Sequence, residues 1–367
     1  MNTTVVKDLK PIDTGFENPR WPLLIAGPCS AESEEQVMQT ACALKESKRI
    51  SVFRAGIWKP RTRPGSFEGV GEEGLKWLMR VKKELGLRIA TEVATADHVE
   101  KALKYDVDVL WVGARTTGNP FSVQTLADAL QGAPVSVMVK NPVYPDTQLW
   151  LGAIERFSKA GITQLAAIHR GFSSAERSGF RNLPMWNISI ELKTYYPSLP
   201  VVCDPSHICG RKDLIPYVAQ KAIDLDMYGL MVECHINPGE ALSDAEQQLT
   251  PLEYEQLIDR LSLRNADLQS PVFYDYLNEL RRQIDEVDSA ILQKLSLRMQ
   301  LAEDIGRHKK ANGATILQLS RWSELLRQRI EVGKAMGLSE AFLKDLMELL
   351  HQESINTQDR VMNSGKD

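Results

Sequence analysis

Six arginines and lysines stand where short apolar runs end. They are Arg54 within SVFRAG with Lys59 and Arg61 beyond it, Arg115 after VLWVGA, Lys140 closing PVSVMVK, and Arg170 after TQLAAIH. Cations gathered in one place repel unless an anion lies among them. Arginine presents paired donors that match a phosphate or carboxylate. A multiply anionic substrate is the chemistry this set implies. Other polar residues end such runs too: Cys29, Glu92, His169, Asp204 with His207, and Glu233 with His235. Cys29, His207, Glu233 and Asp244 could give sulfur, nitrogen and two oxygens to one divalent ion. That mixed set suits manganese, iron, cobalt or zinc better than magnesium or calcium. Their spacing is long and forms no local metal motif. A lone histidine is more often structural, and a cysteine after a strand more often packs. Lys140 in isolation could form a Schiff base, but its cationic surroundings suit anion binding equally well.

The elements that carry these residues alternate. Eight short apolar runs occupy 22–27, 51–56, 87–93, 109–114, 134–140, 163–169, 200–204 and 229–235. Each is rich in Val, Ile or Leu, as a buried parallel strand is. Helical patterns fill the intervals, for example 72–85, 147–160 and 211–221. Eight strand–helix units predict an α/β protein of the (β/α)8 barrel type, whose active site lies at the C-terminal strand ends. Barrel rims are polar in general, but this one is mostly cationic. A doubly wound sheet is the competing arrangement. Gly69, Gly71 and Gly74 form GVGEEG, yet a long loop separates them from the preceding run. A dinucleotide fingerprint sits directly between strand and helix, so nucleotide binding is not expected. Cys203 lies inside a run and reads as core.

The rhythm changes after residue 262. Phe273, Leu277, Leu280, Ile284, Val287 and Ile291 mark one face of a long helix. Helices over 319–336 and 339–358 follow, broken by Gly313 and Gly337. The expected organisation is a barrel over 1–262, a polar linker over 263–271, and an all-α three-helix domain over 272–367. Continuing the apolar stripe through Leu295, Arg298, Ala302, Ile305 and Lys309 puts two cations on a face expected to be buried. A buried charge needs a partner. Arg298 and Lys309 are roughly 16 Å apart along the helix, and Arg281 lies about 25 Å before Arg298. One small ligand cannot span from Arg281, so if Arg281 binds, it serves a site on another chain. An intertwined dimer is therefore expected. The alternative is a helical dimerisation module whose charges snorkel to water.

The chain has 367 residues, a formal charge of −4 and 43% apolar residues. Nothing there points to nucleic acid or a membrane as partner. Five cysteines without a framework, and no export pattern at the start, fit a cytoplasmic protein.

The motifs GPCSAES, FRAGIWKPRTRPGSFEGVG, ATEV, GAR, DPSH, GLMVECH and ALSDAEQQL closely resemble the 3-deoxy-D-arabino-heptulosonate 7-phosphate (DAHP) synthases. The match is to the compact branch shared with the 3-deoxy-octulosonate 8-phosphate synthases and runs across 21–250. The resemblance implies a (β/α)8 TIM barrel that condenses phosphoenolpyruvate with erythrose 4-phosphate. It implies a divalent metal ion, manganese first, with iron, cobalt or zinc as alternatives, on Cys29, His207, Glu233 and Asp244. Arg54, Lys59, Arg115, Lys140 and Arg170 would hold phosphoenolpyruvate, with Glu92 in the same substrate-binding set. Arg61 and Thr62 would hold the aldose phosphate, and Asp204 its hydroxyls. Lys59 would transfer a proton to the aldehyde oxygen. The KPRT sequence at 59–62, in place of a KANRS-like segment, favours the four-carbon aldose. Arg63 and Gly65 depart from the commoner Ser and Tyr.

LRRQIDEVDSAILQKLSLRMQLAEDIGRHK closely resembles the first helix of the all-helical chorismate mutases, a likeness that extends over 273–358. It implies that Arg281, Arg298, Lys309, Arg321, Ser354 and Gln358 clamp chorismate for its rearrangement to prephenate. Arg298, Lys309 and Gln358 would be the catalytic members. Gln318 and Trp322 stand where acidic residues are common. The fusion suggests a bifunctional homodimer or higher homo-oligomer in which prephenate or chorismate inhibits the synthase. A non-catalytic regulatory tail, or an eight-carbon synthase, are the alternatives.

Overall fold

The computed structural model describes residues 6, 9–12, 22–59, 65–174, 179–264 and 271–363. The chain divides into two compact units, Met1–Ala266 and Asp267–Asp367.

The first unit is a closed barrel of parallel strands in sequence order: β1 Leu23–Gly27, β2 Val52–Arg54, β3 Arg88–Val93, β4 Val109–Val112, β5 Ser136–Lys140, β6 Leu165–His169, β7 Val201–Cys203 and β8 Gly229–Glu233. A helix follows each strand: α1 Glu34–Glu46, α2 Glu72–Leu85, α3 Ala96–Lys104, α4 Pro120–Ala129, α5 Thr147–Lys159, α6 Trp186–Tyr195, α7 Ile215–Asp224 and α8 Pro251–Arg260. The doubly wound alternative is excluded by the β1–β8 pairing that closes the sheet. Short polar side chains start several helices at the expected positions. Ser33, Thr95, Asn119 and Asp146 cap α1, α3, α4 and α5, and Thr250 with Glu253 forms a capping box on α8.

Strand periodicity positions the site. Ile25, Val52, Ala90, Val109, Met138, Ala166, Val202 and Met231 form the apolar filling inside the barrel. The next residue of the same parity faces the same way. That places Arg54 above Val52, Glu92 above Ala90, Trp111 above Val109, Lys140 above Met138 and Glu233 above Met231. Residues of opposite parity, such as Phe53, Val139 and Val232, pack outward against the helices. Several strands are shorter than their apolar runs. β2 and β8 stop at Arg54 and Glu233, beyond which single bridges, Ser30 with Gly56 and Cys234 with Leu249, begin the active-site loops. The helix expected over 211–221 starts at Ile215 after a 3-10 turn. GVGEEG serves packing. A Cβ on Gly69 would lie 2.2 Å from the Ile57 carbonyl oxygen, and Gly71, at φ +65°, caps α2.

The second unit is α9 Pro271–Ala311, α10 Leu319–Ala335 and α11 Glu340–Asn363. Its 41-residue first helix is about 60 Å long. Gly313 and Gly337, at φ +61° and +87°, turn the chain between helices. Gly306 lets α9 and α11 cross closely, since a Cβ there would lie 3.1 Å from the Gln358 Cα. One face is left open within the single chain. The stripe of Phe273, Leu280, Ile284, Val287 and Ile291 is 38–58% exposed in the single chain, because no helix of the same chain covers that face. Ile305 is likewise exposed. No described helix is long and apolar enough to cross a membrane.

Candidate active sites

At the C-terminal strand ends, Cys29, Glu233 and Asp244 place one ligand atom each within 4.8 Å of one another. Cys29 follows β1, Glu233 closes β8, and Asp244 comes from the loop beyond it in a left-handed conformation, φ +51°. His207 stands beside this group, its Nε2 3.7 Å from Glu233 Oε1 and its Nδ1 2.8 Å from Asp204 Oδ2. Burial lowers the His207 pKa, keeping the imidazole available as a neutral donor. Burial pushes the Cys29 thiol up to about 12, helped by Glu233 and Asp244 and opposed by Lys59 and Arg54. Burial alone would raise Asp244, but Arg181, His207 and Lys59 outweigh it and hold the carboxylate ionised. One thiol and two carboxylates close together, with an imidazole beside them, fit a divalent transition-type cation.

The cations lie beside this group. Arg54 is buried, with Nη2 3.2 Å from Glu233 Oε1 and donating to the Cys29 carbonyl at 3.3 Å. Its Nε and Nη1 are buried without a hydrogen-bond partner. Lys140 pairs with buried Asp204 at 2.9 Å. Lys59 donates to the Cys29 carbonyl at 3.1 Å and to Sγ at 3.0 Å. Burial would lower its pKa, yet Cys29, Glu233 and Glu92 raise it, so it stays charged. Burial draws Arg170 down to about 10, where Asp204 raises it and neighbouring Arg181 and Arg115 lower it. Asn182 accepts from the Arg170 side chain at 2.8 Å, and Asn141 from its backbone at 2.7 Å. Arg115 sits exposed on the one-turn helix Ala114–Thr117 after β4. Arg61 and Thr62 lie outside the described residues.

Sequence reasoning missed the residues that hold these groups. Trp111 lies under both cations, 4.8 Å from the Arg54 guanidinium and 6.0 Å from Lys140 Nζ. Its indole donates to Glu92 at 3.0 Å. Its inward parity on β4 was the available signal. Arg181 pairs with Asp244 at 3.0 Å and donates to Gln247 at 2.7 Å. Gln247 in turn donates to Glu233 at 2.7 Å, and Gln248 accepts from the Cys29 backbone at 2.9 Å. No local motif marks these.

In the helical unit, Arg298 donates to the Leu350 carbonyl at 2.9 Å and to Ser354 Oγ. Gln358 donates to the Ser354 carbonyl at 3.3 Å, while its Oε1 is buried without a partner. Lys309 donates to the Ile316 carbonyl. Burial lowers the pKa of both Arg298 and Lys309. Arg281 and Arg321 are exposed and pair elsewhere, with Asn278 at 3.4 Å and Glu324 at 3.7 Å. The chain thus brings Arg298, Ser354 and Gln358 together and leaves Arg281 and Arg321 facing solvent.

The model of the DAHP synthetase I family matches residues 4–266, and that of chorismate mutase type II matches 280–359. A phospho-2-dehydro-3-deoxyheptonate aldolase of Thermotoga maritima is 33% identical over 238 residues, 65% of this chain and 68% of that protein. A 2-dehydro-3-deoxyphosphooctonate aldolase of Variovorax paradoxus is 30% identical over 286 residues, covering 70% of this chain and 96% of its own. The crystal structure of the Thermotoga maritima DAHP synthase superposes with a TM-score of 0.59 at 32% identity, over 65% of this chain and 67% of that one.

Proposed function

The chain belongs to the DAHP synthetase I family and carries a type II chorismate mutase domain, making it a bifunctional shikimate-pathway enzyme, and on that premise we propose how its residues divide the work. The synthase is assigned to 1–262, a linker to 263–271 and the mutase to 272–367. The observation that carries the synthase assignment is Arg54: a buried guanidinium with two unpartnered donors, beside Lys140 and over Trp111. An anion is the partner that such charged donors bind most strongly.

Arg54, Lys140, Arg115 and Arg170 hold the carboxylate and phosphate of phosphoenolpyruvate, with Glu92 fixing Trp111 beneath them. Arg61 and Thr62 hold the phosphate of erythrose 4-phosphate, and Asp204 its hydroxyls. Cys29, His207, Glu233 and Asp244 would hold a divalent cation, manganese first, which supplies Lewis-acid polarisation of the aldehyde. C3 of phosphoenolpyruvate forms the new carbon–carbon bond, and protonated Lys59 gives its proton to the aldehyde oxygen. Water adds at C2 and phosphate leaves. The cationic wall stabilises charge throughout.

In the mutase, Arg298, Lys309 and Gln358, with Ser354 and Arg321, grip the carboxylates and ether oxygen of chorismate. The rearrangement needs restriction and electrostatics, with no covalent step. Arg281 reaches the site of a second chain, in a homodimer built on the exposed α9 stripe. The tail passes prephenate feedback to the synthase, and the enzyme works in the cytoplasm.

A paired assay of both reactions on the full chain tests this reading. Chelation is expected to abolish DAHP formation and spare chorismate turnover, and added manganese to restore the former. Synthase activity that survives exhaustive chelation would refute the metal assignment. Arabinose 5-phosphate outcompeting erythrose 4-phosphate would refute the aldose. Equal synthase rates with and without saturating prephenate would refute feedback.

A further inference from the structure

His351 is not among the residues assigned above, yet it shares their face. His351, Ser354 and Gln358 step by three and four along α11, so they line one side of that helix. The His351 imidazole lies flat on the Trp322 indole of α10, with ring centroids 3.8 Å apart and planes 8° from parallel. Its Nε2 is buried without a hydrogen-bond partner, as is Gln358 Oε1 on the same face. A buried polar atom left unsatisfied is costly and calls for a partner. Burial lowers its pKa, and the Arg298 and Lys309 charges lower it further. Both cations of α9 therefore lie within electrostatic reach of the ring.

We propose that His351, held in plane by Trp322, is a specificity-determining residue of the mutase pocket whose Nε2 takes a hydrogen bond from the ring hydroxyl of chorismate. This rests on the reading that the pocket takes chorismate. The substrate offers two carboxylates, an ether oxygen and one hydroxyl. The first three are acceptors and suit the donors of Arg298, Lys309 and Gln358. The hydroxyl is the one substrate group with a proton to give, and an uncharged imidazole nitrogen is the acceptor matched to it. The stack sets the ring angle, so the acceptor is positioned before the ligand arrives.

The bland alternative is that the stack only packs α10 on α11. The test separates the two. The full chain, with His351→Leu and His351→Gln variants, is assayed on chorismate and on the analogue in which hydrogen replaces the ring hydroxyl. His351→Leu is expected to lower kcat/KM for chorismate by about tenfold, the scale of one buried hydrogen bond. It should leave turnover of the analogue within about twofold of wild type on the same scale. His351→Gln, which keeps an acceptor, should recover part of the loss. Synthase rate and thermal midpoint report folding, and His351→Gln carries the comparison if His351→Leu does not fold. Equal losses on both substrates, or no loss on chorismate, overturn the proposal. Arg298→Ala distinguishes the underlying reading: if it keeps turnover, the pocket assignment falls and takes His351 with it. If Arg298→Ala is inactive while His351→Leu discriminates nothing, only the role of His351 falls.

Discussion

The two units place their cations in opposite ways. In the barrel, Arg54 and Lys140 are buried at the ends of β2 and β5, fixed by Glu233, Asp204 and Trp111 of the same unit. In the helical unit, Arg298 is half-buried against Ser354, whereas Arg281, beside a bare apolar stripe, and Arg321, at the start of α10, point to solvent. Strand ends converge because a barrel closes, so one chain can gather many charges in one place. Helix faces diverge, so a site written along a 41-residue helix asks for a second surface. The barrel site should therefore tolerate separation of chains, and the helical site should not.

The sharpest way to break this contrast is at Arg54. Arg54→Ala is expected to lower synthase kcat/KM by about a thousandfold, the cost of one charge-stabilising contact, and to leave chorismate turnover unchanged. Parallel loss of both rates in steady-state assays would mean that the units are not separable.

Ile284→Glu puts charge on the exposed stripe. It should convert the proposed dimer to monomer in sedimentation velocity and lower mutase activity at least tenfold, since burying an unpaired charge is expensive. Synthase activity should fall far less. A monomer with full mutase activity would end the shared-site reading.

Mixing two inactive variants sharpens the point. Arg281→Ala and Arg298→Ala chains, unfolded and refolded together, should regain about a quarter of wild-type mutase activity. Half the dimers are then mixed, each with one intact site by two-fold symmetry. No recovery would place Arg281 and Arg298 in the same chain's site, and an Arg281→Ala chain active by itself would place Arg281 in none.

The smallest expected effect concerns the barrel alone. Burial lowers His169, packed between Phe172 and Trp186, to about 3. The unfolded chain takes up this proton near pH 6.5 and the folded barrel does not. Its stabilising effect is complete above that pH and is lost progressively as pH falls toward 3, by at most about 1.4 kcal/mol per pH unit. Denaturant midpoints of the first unit should drop between pH 7 and 5. His169→Phe should flatten that slope, and an unchanged slope would show that other groups dominate.

Much of the barrel was legible because strands repeat every two residues. Val52 inside implies Arg54 inside, and Met138 implies Lys140. Partners far apart along the chain were not legible. Nothing in the sequence near Asp244 indicates Arg181, 63 residues away, or that a left-handed backbone turns the carboxylate toward Cys29. Trp111 read as one apolar residue among others until the register paired it with Glu92. In the tail, the period revealed Arg298 and Lys309, but the phase between α10 and α11 decides that Trp322 meets His351, and phase depends on the turn at Gly337. The stripe from Phe273 to Ile291 was read correctly as apolar. Amphipathicity says that this face needs a partner and not which chain supplies it.

The length of α9 has one more consequence. It exceeds α11 by 17 residues (41 against 24), an overhang of about 25 Å. A helix that short is marginal in water without packing. Its backbone amides should then exchange with solvent deuterium at a rate set by how dilute the protein is, while those around Ala302 and Gly306 keep a fixed rate. The overhang makes local order a gauge of association, readable peptide by peptide.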